Sequence, residues 1–124
     1  MKKREARLNT ILNQYFRERK LYCYYELKQT NLDSFRFCNI ESVQWEGLPA
    51  AEKEGMVYKW SDEISRPKPC DGASLPPLPS YVIIKFKDAF YFIRIGKLVE
   101  MRDQGYISIS RSTAETLSDV ILKI

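Results

Sequence analysis

Two apolar runs, residues 81–86 (YVIIKF) and 90–95 (FYFIRI), lie one short turn apart and constrain the fold more than anything else in the chain. Both are rich in β-branched and aromatic side chains, the residue types that suit a pleated surface. Lys87, Asp88 and Ala89 between them suit a tight turn. The spacing predicts a β-hairpin.

The other elements follow from periodicity. In residues 3–19, Leu8, Ile11, Leu12, Tyr15 and Phe16 fall on one stripe of a helix, with Arg4, Arg7, Arg17 and Arg19 around it. Glu5 projects between Leu12 and Phe16, toward the apolar side. Residues 21–29 read as a strand. Alternation puts Tyr22, Tyr24, Glu26 and Lys28 on one face, and Cys23, Tyr25 and Leu27 on the other. Residues 30–38 read as a loop anchored by Phe35 and Phe37. A second helix is expected from about Ile40 to Glu54, marked by Ile40, Val43 and Leu48. Pro49 is expected to break it into two pieces, with Gly55 as its stop. Residues 56–60 read as a short strand, and 61–79, with five of the six prolines, as an ordered loop. A last helix is expected after Ser110 as N-cap, with Ala114 and Leu117 facing inward. Residues 120–124 close the chain. Helices alternating with strands predict an α/β fold, a mixed β-sheet flanked by helices, in a single domain over residues 1–124.

Composition removes several classes of function. At 44% hydrophobic and 13% aromatic, the 124 residues can fill a core without disulfides. No apolar run approaches the ~20 residues of a membrane span. The opening MKKREARLN turns polar again at once, so the expected setting is cytoplasmic, with no membrane partner. Cys23, Cys38 and Cys70 are widely spaced, form no CxxC, and read as free, mostly buried thiols. The chain has no histidine, which argues against zinc and excludes a Ser-His-Asp or Cys-His nucleophile. Chemistry is left to carboxylates, lysine, tyrosine or a metal held through oxygen. A net charge of +4 permits a polyanionic partner without requiring one.

Four polar residues stand where apolar ones would be expected: Glu5 on a helix's apolar side, Glu26 and Lys28 inside a strand, and Asp71 after the turn PKPCDG. Spacing of two puts Glu26 and Lys28 on one face. The carboxylate can hold a hard cation, and the ammonium beside it can orient a water. The carbonyl of Leu27 can turn to the same metal. A second carboxylate completes a site that suits Mg²⁺ or Mn²⁺, which take few carboxylates and keep waters. Such an ion activates water and stabilises a phosphate under attack.

Glu26-Leu27-Lys28 together with Pro69-Cys70-Asp71 resembles the split motif of the PD-(D/E)XK nuclease superfamily. Glu5 is similar to the helix-borne acid many of these nucleases add, and Gln44 to the glutamine often found on the helix after the Glu-x-Lys strand. The run GMVYK…KPCDGASLPPLPSYVIIKF, then FYFIRI and a Ser/Thr-capped helix, resembles small phage-type members that include candidate Holliday junction resolvases. The resemblance runs from Lys3 to about Leu117. It implies a restriction-endonuclease-like fold and Mg²⁺-dependent hydrolysis of DNA, possible on branched substrates and in a homodimer. It also implies a catalytic set of Glu5, Glu26, Lys28, Gln44 and Asp71, with Glu26, Leu27 and Asp71 on the metal. Lys2, Lys3, Arg4, Arg66 and Lys68 are candidates for contact with the phosphate backbone. The order departs from the superfamily's usual one, because Asp71 follows Glu26 by 45 positions instead of preceding it. Each residue also has a plainer reading. Glu-x-Lys can be a solvated strand face, Asp71 a turn residue, Glu5 a first-turn charge, and the tyrosines core. A binding module without chemistry, or a small protein-binding regulator, would carry the same elements.

Overall fold

A computed structural model describes residues 2–59 and 70–124, with side chains from residue 6 onward. In chain order the elements are α1 (Lys2–Arg19), β1 (Tyr24–Thr30), β2 (Ser34–Arg36), a 3₁₀ turn (Phe37–Asn39) and α2 (Ser42–Glu54). Then come β3 (Met56–Lys59), β4 (Gly72–Leu75), β5 (Ser80–Phe86), β6 (Ala89–Arg94) and α3 (Ile95–Asp103). Finally there are β7 (Ser108–Ser110), α4 (Arg111–Leu117) and β8 (Val120–Lys123).

The expected α/β class and the mixed, helix-flanked sheet are both present. The main sheet has the order β1-β5-β6-β8, with β1 parallel to β5 and the other pairs antiparallel. The hairpin forms its centre. Every residue of β5 is buried, because the sheet is covered on both sides. On one face Ile83, Phe90 and Phe92 meet Leu8 and Leu12 of α1, with Tyr25 and Leu27 of β1 at the margin. On the other, Val82, Ile84, Tyr91 and Ile93 meet Ile95 and Leu98 of α3, with Trp45 and Leu48 of α2 packed against them. Alternation along β1 therefore sends Tyr25 and Leu27 to the α1 side, and Tyr24, Glu26 and Lys28 to the α2 side.

A polar clasp joins these layers at one end of the hairpin. Glu52 of α2 accepts from the Ser80 N–H at 3.1 Å and from Arg94 Nε at 2.7 Å. Arg94 lies over the Tyr81 ring, and the Tyr81 hydroxyl donates to Asp119 at 3.0 Å. Burial, then the bond to Asp119, pushes the Tyr81 hydroxyl up to about 12.

Several expectations change. Pro49 lies inside α2 without breaking it. A capping box between Glu41 and Gln44 secures the first turn, and Leu48 and Ala51 hold the helix to the sheet. The helix starts at Ser42, so Ile40 is buried ahead of it and Val43 is 65% exposed. Gly55 does stop it, at φ 81. Residues 30–38 are not only loop: β2 pairs with β7, and Phe35 and Phe37 are buried. Gly72–Leu75, expected as loop, is a strand paired with β3, too short and exposed to carry a burial pattern. Ile95 begins α3 instead of ending β6. That helix gave no sequence signal because Arg94 caps it without a side-chain hydrogen bond. The closing residues 120–123 form the edge strand β8. The last helix is as expected, with the Ser110 hydroxyl accepting from the Thr113 N–H. The cysteines are free, but Cys38 and Cys70 are exposed and only Cys23 is partly buried, its thiol pushed up to about 11 by burial. Among the described residues no helix is long and apolar enough to cross a membrane.

Candidate functional site

β1 is an edge strand, and its hydrogen-bond phase fixes which atoms it exposes. The Tyr24 N–H donates to the Pro79 carbonyl at 2.9 Å, and Tyr24 pairs with Ser80 in the parallel ladder. In a parallel pair alternate residues turn both backbone groups to the neighbour. Tyr24, Glu26 and Lys28 therefore spend theirs on β5. The carbonyl of Leu27 points away from β5, off the open edge.

The Glu26 and Lys28 side chains share the α2 face, with Lys28 Nζ 3.6 Å from Glu26 Oε1. That distance makes an ion pair but not a hydrogen bond. The groups are 34% and 18% exposed respectively, so the charges sit in a half-buried setting that strengthens their mutual field. Glu26 borders a cavity of about 360 Å³ between β1 and α2, lined also by Tyr24, Gln44, Leu48 and Met56. Gln44 lines the same cavity as Glu26. Its side-chain oxygen, however, accepts from the Glu41 N–H at 3.1 Å, so it also holds the start of α2.

Asp71 lies at the exposed end of the two-stranded ribbon β3–β4, one residue beyond the Lys59–Gly72 pair. The ribbon's root is fixed near β1. The Tyr24 hydroxyl donates to the Pro76 carbonyl at 2.7 Å, and Met56, paired with Leu75, lines Glu26's cavity. From Leu75 to Asp71 the strand extends about 13 Å. The two strands lie so close at Gly72 that a Cβ there would run into the Tyr58 carbonyl.

Helix α1, which carries Glu5, packs on the sheet face opposite Glu26 and Lys28. The side chains of Glu5, Lys2, Lys3 and Arg4 lie outside the described residues, as do Arg66 and Lys68 entirely.

The Glu26 carboxylate and the outward Leu27 carbonyl are hard oxygen donors on adjacent residues, a set that fits Mg²⁺ or Mn²⁺ better than a softer metal. Among the described residues no three acidic or cysteine side chains gather closely enough to hold an ion by themselves. Coordination would be completed by water, by phosphate oxygens and by a carboxylate brought from elsewhere, as Mg²⁺ sites commonly are.

The structure also shows a feature the sequence did not suggest. Arg36, Trp45 and Arg102, from β2, α2 and α3, border a larger cavity of about 670 Å³. They are far apart in sequence, so no motif announces them. The chain matches no protein-family model, no curated protein and no solved structure.

Proposed function

We propose that the protein is a metal-dependent endonuclease that hydrolyses DNA phosphodiester bonds at the open edge of β1. The observation that carries this reading is the half-buried Glu26–Lys28 pair, 3.6 Å apart on one strand face beside a cavity. Partly burying two charges costs solvation, which their attraction across 3.6 Å offsets only in part. A function that needs a carboxylate and an ammonium side by side accounts for their placement.

Glu26 and the Leu27 carbonyl would hold a Mg²⁺ or Mn²⁺ ion, with Asp71 supplying a second carboxylate from the ribbon. A bound divalent cation lowers the pKa of water and neutralises charge developing on phosphate. Lys28 orients the attacking water and offsets negative charge as the phosphate is attacked. Tyr24 holds the root of the ribbon in place through Pro76. Gln44 keeps the first turn of α2 against the cavity. Symmetric cutting of two strands would use two copies of the chain.

The test is a panel of labelled duplex, flap, single-stranded and four-way DNA, incubated with Mg²⁺, Mn²⁺ or EDTA. Cleavage with either metal and none in EDTA is the expected outcome. Binding without cleavage under all conditions would instead make the chain a nucleic-acid-binding module.

A further inference from the structure

The cavity on the other side of α2 has a composition of its own. Its floor is Trp45, with Phe37 edge-on at 5.6 Å between ring centroids. The Arg102 guanidinium lies over the Trp45 ring at 4.4 Å. Arg36 and Tyr106 border the opening, and Tyr106 is 56% exposed. Among the described residues Arg36 has no ion-pair partner, and Arg102 meets only the exposed Asp103, at 3.9 Å. Arg102 also stands in the last turn of α3, where its charge offsets the negative end of the helix dipole. Two guanidiniums, one with no ion-pair partner among the described residues and one with only a 3.9 Å contact to an exposed carboxylate, set among aromatic rings in a concavity of about 670 Å³, match one ligand chemistry. That chemistry is a flat, unpaired base joined to a phosphate. Bases stack on aromatic rings and on guanidinium planes, and arginine forks bind phosphate.

The location adds to this. Trp45 neighbours Gln44 in α2, and Gln44 lines the cavity of Glu26. The two cavities thus lie against consecutive residues of one helix.

We propose that the Arg36–Trp45–Arg102 cavity is a docking site for an unpaired nucleotide of a DNA strand, close along that strand to the bond at Glu26. The site rests on the nuclease reading for its purpose, and it makes a single-stranded segment beside the cut a substrate requirement. Duplex DNA keeps its bases stacked and cannot fill the cavity.

Trp45 reports on the site directly. Trp60→Phe leaves it as the sole tryptophan. In EDTA at low salt, so that no cleavage occurs, the probes are a thymidine strand of about ten nucleotides, the matching duplex, and thymidine monophosphate. The single strand is expected to quench Trp45 and to bind about tenfold tighter than either other probe. Arg36→Gln and Tyr106→Ala change exposed side chains and leave the core intact. Each is expected to weaken the single strand by about threefold to tenfold, without changing duplex affinity. Lys28→Ala should leave the quenching unchanged, so failure of the catalytic reading and failure of this one are separable. Equal quenching by strand and duplex, tight binding of the mononucleotide alone, or no effect of Arg36→Gln and Tyr106→Ala would each overturn the proposal.

Discussion

The two antiparallel pairs β5–β6 and β3–β4 are built by the same backbone pairing and put to opposite uses. In β5–β6 nearly every side chain is buried, between α1 on one face and α2 and α3 on the other. In β3–β4 all four residues of β3 are exposed, and Val57 is 83% exposed. The first pair carries most of what holds the chain together. The second extends from a fixed root and carries Asp71 at its far end. A covered sheet holds the strand that carries Glu26 and Lys28, whereas Asp71 stands on an exposed two-stranded ribbon.

The comparison is broken most easily at its centre. Phe92 is fully buried and touches Tyr15, Phe16 and Tyr81 edge-on. Phe92→Ala should cost about 3–5 kcal/mol in urea unfolding, because it removes a large side chain and leaves a cavity. Glu52→Ala is next. It strips the acceptor from the Ser80 N–H and from Arg94, and should cost about 2 kcal/mol by the same measurement.

A pH test sharpens the same picture. The folded protein holds the Tyr81 hydroxyl above its ordinary value of 10.0, up to about 12. Its contribution is complete below the unfolded value and is lost as pH rises through the folded one. Melting temperature should therefore fall between about pH 10 and about pH 12, and fall less in Tyr81→Phe. An equal fall in both proteins would remove Tyr81 from the account. The smallest effect is expected on the ribbon, where Val57→Ser should shift stability by no more than ~0.5 kcal/mol. A loss at Val57 as large as that at Phe92 would mean that the ribbon contributes to stability as much as the central hairpin does.

What the sequence revealed follows the same division. The stripe of α1 was legible because burial of one face imposes a period, and the β5–β6 hairpin because burial of both faces imposes continuous apolar runs. The shared face of Glu26 and Lys28 was legible for the same reason, since alternation in a strand leaves no other choice. The β3–β4 pair was half-legible: with no buried face to satisfy, Gly72–Leu75 is indistinguishable from the proline-rich loop around it. Helix α3 was missed because β6 runs into it with neither a turn residue nor a side-chain cap. The Arg36–Trp45–Arg102 cavity could not be read at all, because it exists only once three elements are packed together. Glu5 read as a member of the site from the family resemblance and its place on the apolar side of α1; its side chain lies outside the described residues, and α1 covers the sheet face opposite Glu26. Which face a helix covers depends on the connections, which spacing within one helix does not encode.

The central claim is that Glu26 and Lys28 sit together for chemistry, and single-turnover cleavage beside a gel-shift titration tests it most directly. Lys28 would act mainly in the transition state, so Lys28→Ala should lower the cleavage rate by about 10²-fold or more, with DNA affinity changed by no more than about threefold. Asp71→Asn in the same assay should also lose cleavage, with DNA bound at least as tightly, because a negative charge facing the phosphates is removed. If Lys28→Ala cuts DNA at the parent rate, the pair is an ordinary ion pair on a strand face, and the catalytic reading of β1 is wrong.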